Sequence, residues 1–238
     1  MINYFNDRGS NVYIASLDAT KAFDRVNHFK LFSTLYKLKL PAFLIKTIVN
    51  WYGKLKVCVK WNGVFSGVFN VHSEVRQGGV LSPSLFNLYV NCMITELRKN
   101  RLGCCINNLY LGILMYADDI LLLSSSCIEL QNMLNVCSDV GYNLGILFNA
   151  KKSMCSVVGP YKPSNLCNLS INNVNLRWHD KIKYLGFYLK SAINFTVDFS
   201  EARRRYFTTL YNILSKSKHC SELVKLELIE KQCMPILL

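Results

Sequence analysis

Apolar and polar positions fall into blocks along this chain, and the period within each block separates strands from helices. Residues 11–18, "NVYIASLD", form an apolar run closed by Asp18, the pattern of a short buried strand. "HFKLFSTLYKLKLP" (28–41) then spaces Phe29, Phe32, Leu35, Tyr36 and Leu38 at helical intervals, with Pro41 as the break. "AFLIKTIVNWYG" (42–53) predicts a second helix. In "KVCVKWNGVFSGVFNV" (56–71) the alternation straddles Asn62-Gly63, a pair that tolerates the positive φ of a tight hairpin turn. "QGGVLSPSLFNLYVNCMITELRKN" (77–100) reads as a glycine turn and about four helical turns, with Ser82 as N-cap and Pro83 in the first helical position.

In the second half, "SSSCIELQNMLNVCSDVGYN" (124–143) predicts a helix opened by a Ser126–Glu129 capping box. Ile128, Leu130, Met133, Leu134, Cys137 and Val140 form its inward stripe. "LGILFNAKKSMCSVVG" (144–159) and "NLSINNVNLRWHDKIKYLGFYLK" (168–190) read as strands joined by polar turns, and the last forty residues as basic helix. Strands and helices interleave irregularly, which makes the class α+β.

One block breaks its own rule. "LGILMYADDILLLSSS" (111–126) sets two adjacent carboxylates, Asp118 and Asp119, inside the longest apolar run. Unpaired buried charge is costly, so the pair either caps a solvated turn or meets a cation. Asp18, about a hundred residues earlier, also ends an apolar strand. If those strands are neighbours, the carboxylates converge. Hard cations such as Mg²⁺ take carboxylate oxygens and leave sites for water or phosphate. Two such ions can stabilise the attacking and leaving oxygens of a phosphoryl transfer.

Charge sharpens this. The 238 residues hold 28 Lys/Arg against 15 Asp/Glu, a net of +13, which points to an anionic partner, nucleic acid first. With 51% hydrophobic and 12% aromatic residues the chain can bury a substantial core, which argues against disorder. The ten cysteines are scattered without a C-x-x-C pair and read as small buried hydrophobes of a reducing compartment. No signal pattern opens the sequence, and no apolar run is long enough to span a bilayer, so an intracellular protein with no membrane partner is expected.

Five blocks occur in order: "SLDATKAFDRVNH" (16–28), "VRQGGVLSPSLFNLYVN" (75–91), "LMYADDILLLSSS" (114–126), "GILFNAKKS" (145–153) and "KYLGFYL" (183–189). Together they resemble the reverse transcriptases of non-LTR (LINE-type) retrotransposons. The resemblance implies a right-hand polymerase palm, an antiparallel sheet with helices packed on one face. It assigns residues 1–190 to the palm with a remnant of the fingers, and 191–238 to the basic helical start of a thumb. It further implies RNA-directed DNA synthesis with an RNA template, a DNA primer, dNTP and two Mg²⁺ ions, for which Mn²⁺ could substitute.

Residue by residue, the resemblance makes Asp18, Asp118 and Asp119 the catalytic metal ligands, with the backbone carbonyl of Ala19 as a further ligand. Asp118 is the main ligand of the turn. Lys152 matches a lysine that protonates the leaving pyrophosphate. Phe23 matches the bulky residue that crowds the sugar 2′ position, although a plain core aromatic satisfies the same pattern. Arg76, Gln77, Gly78, Gly79, Tyr116 and Ala117 line template and incoming nucleotide, and Tyr184, Leu185 and Gly186 form the primer grip. Most of the fingers that hold the triphosphate are not found ahead of Asp18. That keeps open a second reading, a catalytically inactive element remnant that only binds nucleic acid.

Overall fold

The computed structural model describes residues 1–71, 73–76, 78–161 and 166–237. The first half comprises α1 (Ile2–Asn6), β1 (Val12–Thr20), α2 (His28–Lys37) and α3 (Ala42–Gly53). A two-stranded ribbon follows: β2 (Lys56–Val57), β3 (Lys60–Trp61), β4 (Val64–Phe65) and β5 (Phe69–Asn70). Then come α4 (Ser82–Lys99), a small hairpin of β6 (Cys105–Ile106) and β7 (Leu109–Tyr110), and the pair β8 (Ile113–Tyr116) and β9 (Asp119–Ser124). The second half runs α5 (Cys127–Leu144), β10 (Leu147–Phe148), β11 (Met154–Val158), β12 (Ser170–Ile171), β13 (Val174–Asn175) and β14 (Arg177–Trp178). It closes with β15 (Lys181–Tyr184), β16 (Phe187–Lys190), β17 (Thr196–Asp198), α6 (Ser200–Lys216), α7 (Glu222–Gln232) and α8 (Met234–Leu237).

The central sheet has the order β14-β11-β1-β9-β8, with β10 pairing the far end of β1. All its pairings are antiparallel except β11 with β14. Strand β1 is central because its apolar residues need cover on both faces. Ala15, Leu17 and Ala19 point into one cluster with Ile120 and Leu122, under Phe86, Tyr89 and Met93 of α4 and Leu130 and Met133 of α5. Val12 and Ile14 point the other way, into a second cluster with Leu121, Leu123, Ile182 and Leu189. The unbroken apolar stretch of β9 reflects this double burial. Helices α4 and α5 thus cover one face, while the small sheet β15-β16-β17 and α1 cover the other. This is the expected α+β architecture.

Local details depart from the sequence reading. Helix α2 buries Leu31 and Leu35, while Phe29 and Tyr36 are exposed, because the side that meets α4 is rotated from the aromatic stripe. Helix α4 begins at Ser82 itself, with Leu81 in the cap position, and the Ser82 hydroxyl is engaged by Tyr52. Ser126 occupies the N-cap position of α5, but its side chain makes no capping bond and no capping box forms. The Glu129 carboxylate instead accepts from the Gly103 amide (3.0 Å) and the Ser124 hydroxyl, tying the helix to the loop before β6. Ile128 is exposed, and the inward stripe is Leu130, Met133, Leu134 and Cys137. Among the cysteines, Cys127 and Cys167 are joined in a disulfide, and Cys58, Cys105 and Cys220 are exposed. The uniform reading as buried thiols therefore fails. Cys127 and Cys167 lie forty residues apart, and only the packing of the 166–169 segment against the start of α5 brings them together.

Candidate active site

The register of β1 against β9 runs from Tyr13↔Ser124 to Asp18↔Asp119. Directly opposed residues of an antiparallel pair share a face, so the Asp18 and Asp119 side chains stand together at the end of the sheet. Their face is that of Ile14 and Leu121, the one covered by β15–β17. Asp118 sits in the two-residue turn that closes the β8–β9 hairpin, between Tyr116 and Asp119, and is exposed. Ala117, the other turn residue, has φ 53°, a left-handed conformation unfavourable for any residue with a Cβ. Strain of this kind is held in place by the surrounding strands and is common at functional turns. Among the described residues no three His, Cys, Asp or Glu side chains are gathered so that they could hold a metal ion by themselves. Carboxylate oxygens, here Asp18 opposite Asp119 with Asp118 in the adjoining turn, are the donor type that a hard cation takes alongside water or phosphate oxygens.

The electrostatics show the cost of that crowding. Burial, then the charges of Asp118 and Asp18, hold the Asp119 carboxyl above its ordinary range. Tyr184, at the end of β15, is half-buried over the same face, and burial together with the Asp119 charge pushes its phenol up. Tyr184 pairs with Phe187 across a turn whose residues, Leu185 (φ 47°) and Gly186 (φ 84°), are both left-handed, a tight hairpin whose tip borders a cavity with Glu201, Ala202 and Arg205 of α6.

Lys152 approaches from the other side. Its Nζ lies 3.9 Å from Asp18 Oδ2, with both side chains partly exposed. An exposed pair of this kind is worth about 1 kcal/mol or less, so its interest is position rather than stability. The segment that delivers it, residues 149–153, interrupts the pairing of β1 between β10 and β11 and clasps Asp18 by its backbone. The Asn149 amide donates to the Asp18 carbonyl (2.8 Å), and the Asp18 amide donates to the buried Ser153 hydroxyl (3.1 Å). Asn149 also accepts from Lys152 and Ser153 amides through its carbonyl and from Lys151 through its side chain. The sequence reading missed Asn149 and Ser153. An Asn followed by Lys-Lys-Ser between two strands is a turn signal that could have marked them.

Phe23 opens a single 3₁₀ turn, Phe23–Arg25, and is half-buried. Its ring stacks on Phe86 of α4 (centroids 4.7 Å apart), so it is a core-anchored aromatic with one edge free. The loop after the ribbon is laced to this turn: Val75 donates to the Phe23 carbonyl and Glu74 to the Val26 carbonyl, both at 2.9 Å. Arg76 is exposed on that loop, and Gln77 lies outside the described residues. Gly78 is left-handed (φ 78°). A Cβ on Gly79 would stand 2.7 Å from the Ser82 hydroxyl and 3.1 Å from the Arg76 carbonyl, so a side chain there forces its neighbours to shift. Ala19 is buried opposite Phe148, and any metal contact there falls to its carbonyl. The structure thus brings Asp18, Asp119, Lys152 and Tyr184 together, with Phe23, Arg76 and Gly79 grouped on an adjoining loop.

Residues 2–189 match the family described as reverse transcriptase (RNA-dependent DNA polymerase). The chain belongs to that family. Among its relatives is the retrovirus-related Pol polyprotein of type-2 retrotransposable element R2DM from Drosophila melanogaster, 30% identical over 77% of this chain and 18% of that protein. Another is the RNA-directed DNA polymerase of mobile element jockey from Drosophila funebris, 31% identical over 82% of this chain and 20% of that protein. The likeness to non-LTR retrotransposon reverse transcriptases is therefore met. The chain spans roughly a fifth of the length of these two relatives. Apo telomerase from Candida tropicalis superposes with a TM-score of 0.60 over 99% of this chain and 43% of that one, at 16% identity, so the likeness is one of fold. No helix among the described residues is long and apolar enough to cross a membrane.

Proposed function

We propose that this reverse transcriptase chain performs RNA-directed DNA synthesis, adding a dNTP to a primer 3′-hydroxyl on an RNA template. The observation that carries the reading is the register that sets Asp18 against Asp119, with Lys152 3.9 Å from Asp18. Asp18, Asp118, Asp119 and the Ala19 carbonyl are the groups that would hold two Mg²⁺ ions, or Mn²⁺ in their place. Bound there, the ions supply charge stabilisation for the attacking and leaving oxygens. The primer hydroxyl attacks the α-phosphorus, the bond to the β-phosphate oxygen breaks, and pyrophosphate leaves. Lys152, held beside Asp18 by the 149–153 clasp, delivers a proton from Nζ to that leaving group. Phe23, anchored on Phe86, presents its free edge against the sugar 2′ position. Tyr184, Leu185 and Gly186 hold the primer end, and Arg76, Gly78, Gly79, Tyr116 and Ala117 face template and nucleotide.

In this reading residues 1–190 form the palm with part of the fingers. Residues 191–238 begin a thumb whose Arg203, Arg204 and Arg205 follow phosphates. The test is extension of oligo(dT) on poly(rA) with dTTP and Mg²⁺. Products lengthened by the purified chain support the proposal. Tight, salt-sensitive binding of the template–primer with no extension would establish the alternative, a remnant that binds nucleic acid without chemistry.

A further inference from the structure

The loop that leads to Gly79 owes its place to the start of α2. Asn27 caps that helix, its side chain accepting from the Lys30 amide at 3.0 Å, so His28 is fixed as the first helical residue. The His28 ring meets the buried Tyr52 of α3 edge-on, centroids 4.9 Å apart, and lies beside Phe32. Its Nε2 stands 2.8 Å from the Glu74 carbonyl oxygen. A carbonyl can only accept, so Nε2 is the protonated nitrogen and donates. Glu74 needs this hold. At φ 107° it occupies a backbone conformation that residues with a Cβ rarely adopt. Both of its peptide groups are tied to one short segment, the carbonyl to His28 and the amide to the Val26 carbonyl at 2.9 Å. On either side, Ser73 bridges to Asn27, and the buried Val75 donates to the Phe23 carbonyl at 2.9 Å. Those other three ties run between backbones, whereas the carbonyl of the strained residue is held by a side chain.

We infer that His28 is a positioning residue for the incoming nucleotide: by holding Glu74 in its strained conformation it fixes Phe23 against the stretch that leads to Gly79, and with it the selection of deoxyribose over ribose. The inference rests on the RNA-directed synthesis proposed above, which puts Phe23 at the sugar 2′ position, and deepens it. His28 acts through Glu74 and Val75. Released from His28, Glu74 relaxes toward negative φ, which turns the peptide to Val75 and draws on the Phe23 carbonyl through the Val75 amide. Exclusion of a single hydroxyl depends on a ring edge held in place, so a small shift at Phe23 shows as lost selectivity. Packing alone would ask for no more than a ring at residue 28, which separates the two roles experimentally.

The experiment is steady-state extension of oligo(dT) on poly(rA) by the full chain, with dTTP and separately with UTP. The readout is the ratio of kcat/KM for dTTP to that for UTP. The fraction of folded enzyme cancels from this ratio, so lost stability alone leaves it unmoved. H28F keeps a ring against Tyr52 and Phe32 and removes the donor. Its ratio should fall about tenfold or more. H28Q places an amide donor near the position of Nε2 and should stay within about threefold of the parent. If H28F does not fold, judged by its urea transition, H28N supplies the same contrast with H28Q, because its amide falls one methylene short of the Glu74 carbonyl. An unchanged ratio in H28F, an equal loss in H28Q, or a parent that uses both nucleotides alike overturns the inference while synthesis by the parent stands. A parent that extends the primer with neither nucleotide removes both readings.

Discussion

Asp119 carries the electrostatic cost of bringing three carboxylates to the end of one sheet. Its carboxyl is raised by burial first and by Asp118 and Asp18 next. A carboxyl whose pKa rises on folding makes the folded state bind more protons across that window. Stability is then fully present below the ordinary value of 3.8 and lost as pH climbs through the folded value. D119N should therefore stabilise the metal-free chain at pH 7, with the gain closing as pH falls toward 3.8, as measured by urea denaturation at both ends of that range. A destabilised D119N at pH 7 would contradict the crowding described above. Ser153 makes the opposite case. Its buried hydroxyl accepts from the Asp18 amide, so S153A orphans that amide and should cost about 1–2 kcal/mol in the same assay. The carboxylates were legible in the sequence because charge inside an apolar run is conspicuous. Ser153 and Asn149 were not, since their roles depend on which backbone they meet across a sheet.

At the scale of elements, periodicity placed β1, the ends of α3 and the Asn62-Gly63 hairpin, where local pattern and tertiary packing agree. It misplaced what depends on neighbours. Of the residues spaced at helical intervals in α2, Leu35 is buried with Leu31, while Phe29 and Tyr36 are exposed. The Ser126–Glu129 box was locally sound, but Glu129 found a better use bridging Gly103 and Ser124. Ser82 illustrates the same dependence: its amide bonds the Gly79 carbonyl and the helix starts at Ser82 itself, so Leu81 takes the cap position. The close approach of Gly79 to Ser82 carries a prediction. G79A forces a Cβ within 2.7 Å of the Ser82 hydroxyl and should destabilise the chain by roughly 1–3 kcal/mol. Because the same loop is bonded to Phe23 and Val26, it should also loosen the nucleotide side of the site, seen as a raised KM for dNTP. A G79A chain with parental stability and KM would show that the loop is not a fixed wall.

For the whole molecule, the doubly covered β1–β9 pair does the positioning. Helices α4 and α5 fix one face and β15–β17 the other, so the strand ends carrying Asp18 and Asp119 have little freedom to separate. The +13 charge accounts for binding of an anionic polymer and cannot by itself account for catalysis. The central claim is that the paired carboxylates carry the chemistry and not the binding. The direct measurement is the Mg²⁺-dependent extension rate of the parent beside D118N/D119N, with template–primer affinity determined for both. Extension should fall at least a thousandfold, a loss of about 4 kcal/mol or more in transition-state stabilisation, while affinity stays within a few-fold. If D118N/D119N extends the primer at the parental rate, the carboxylates at the end of this sheet are not the catalytic centre.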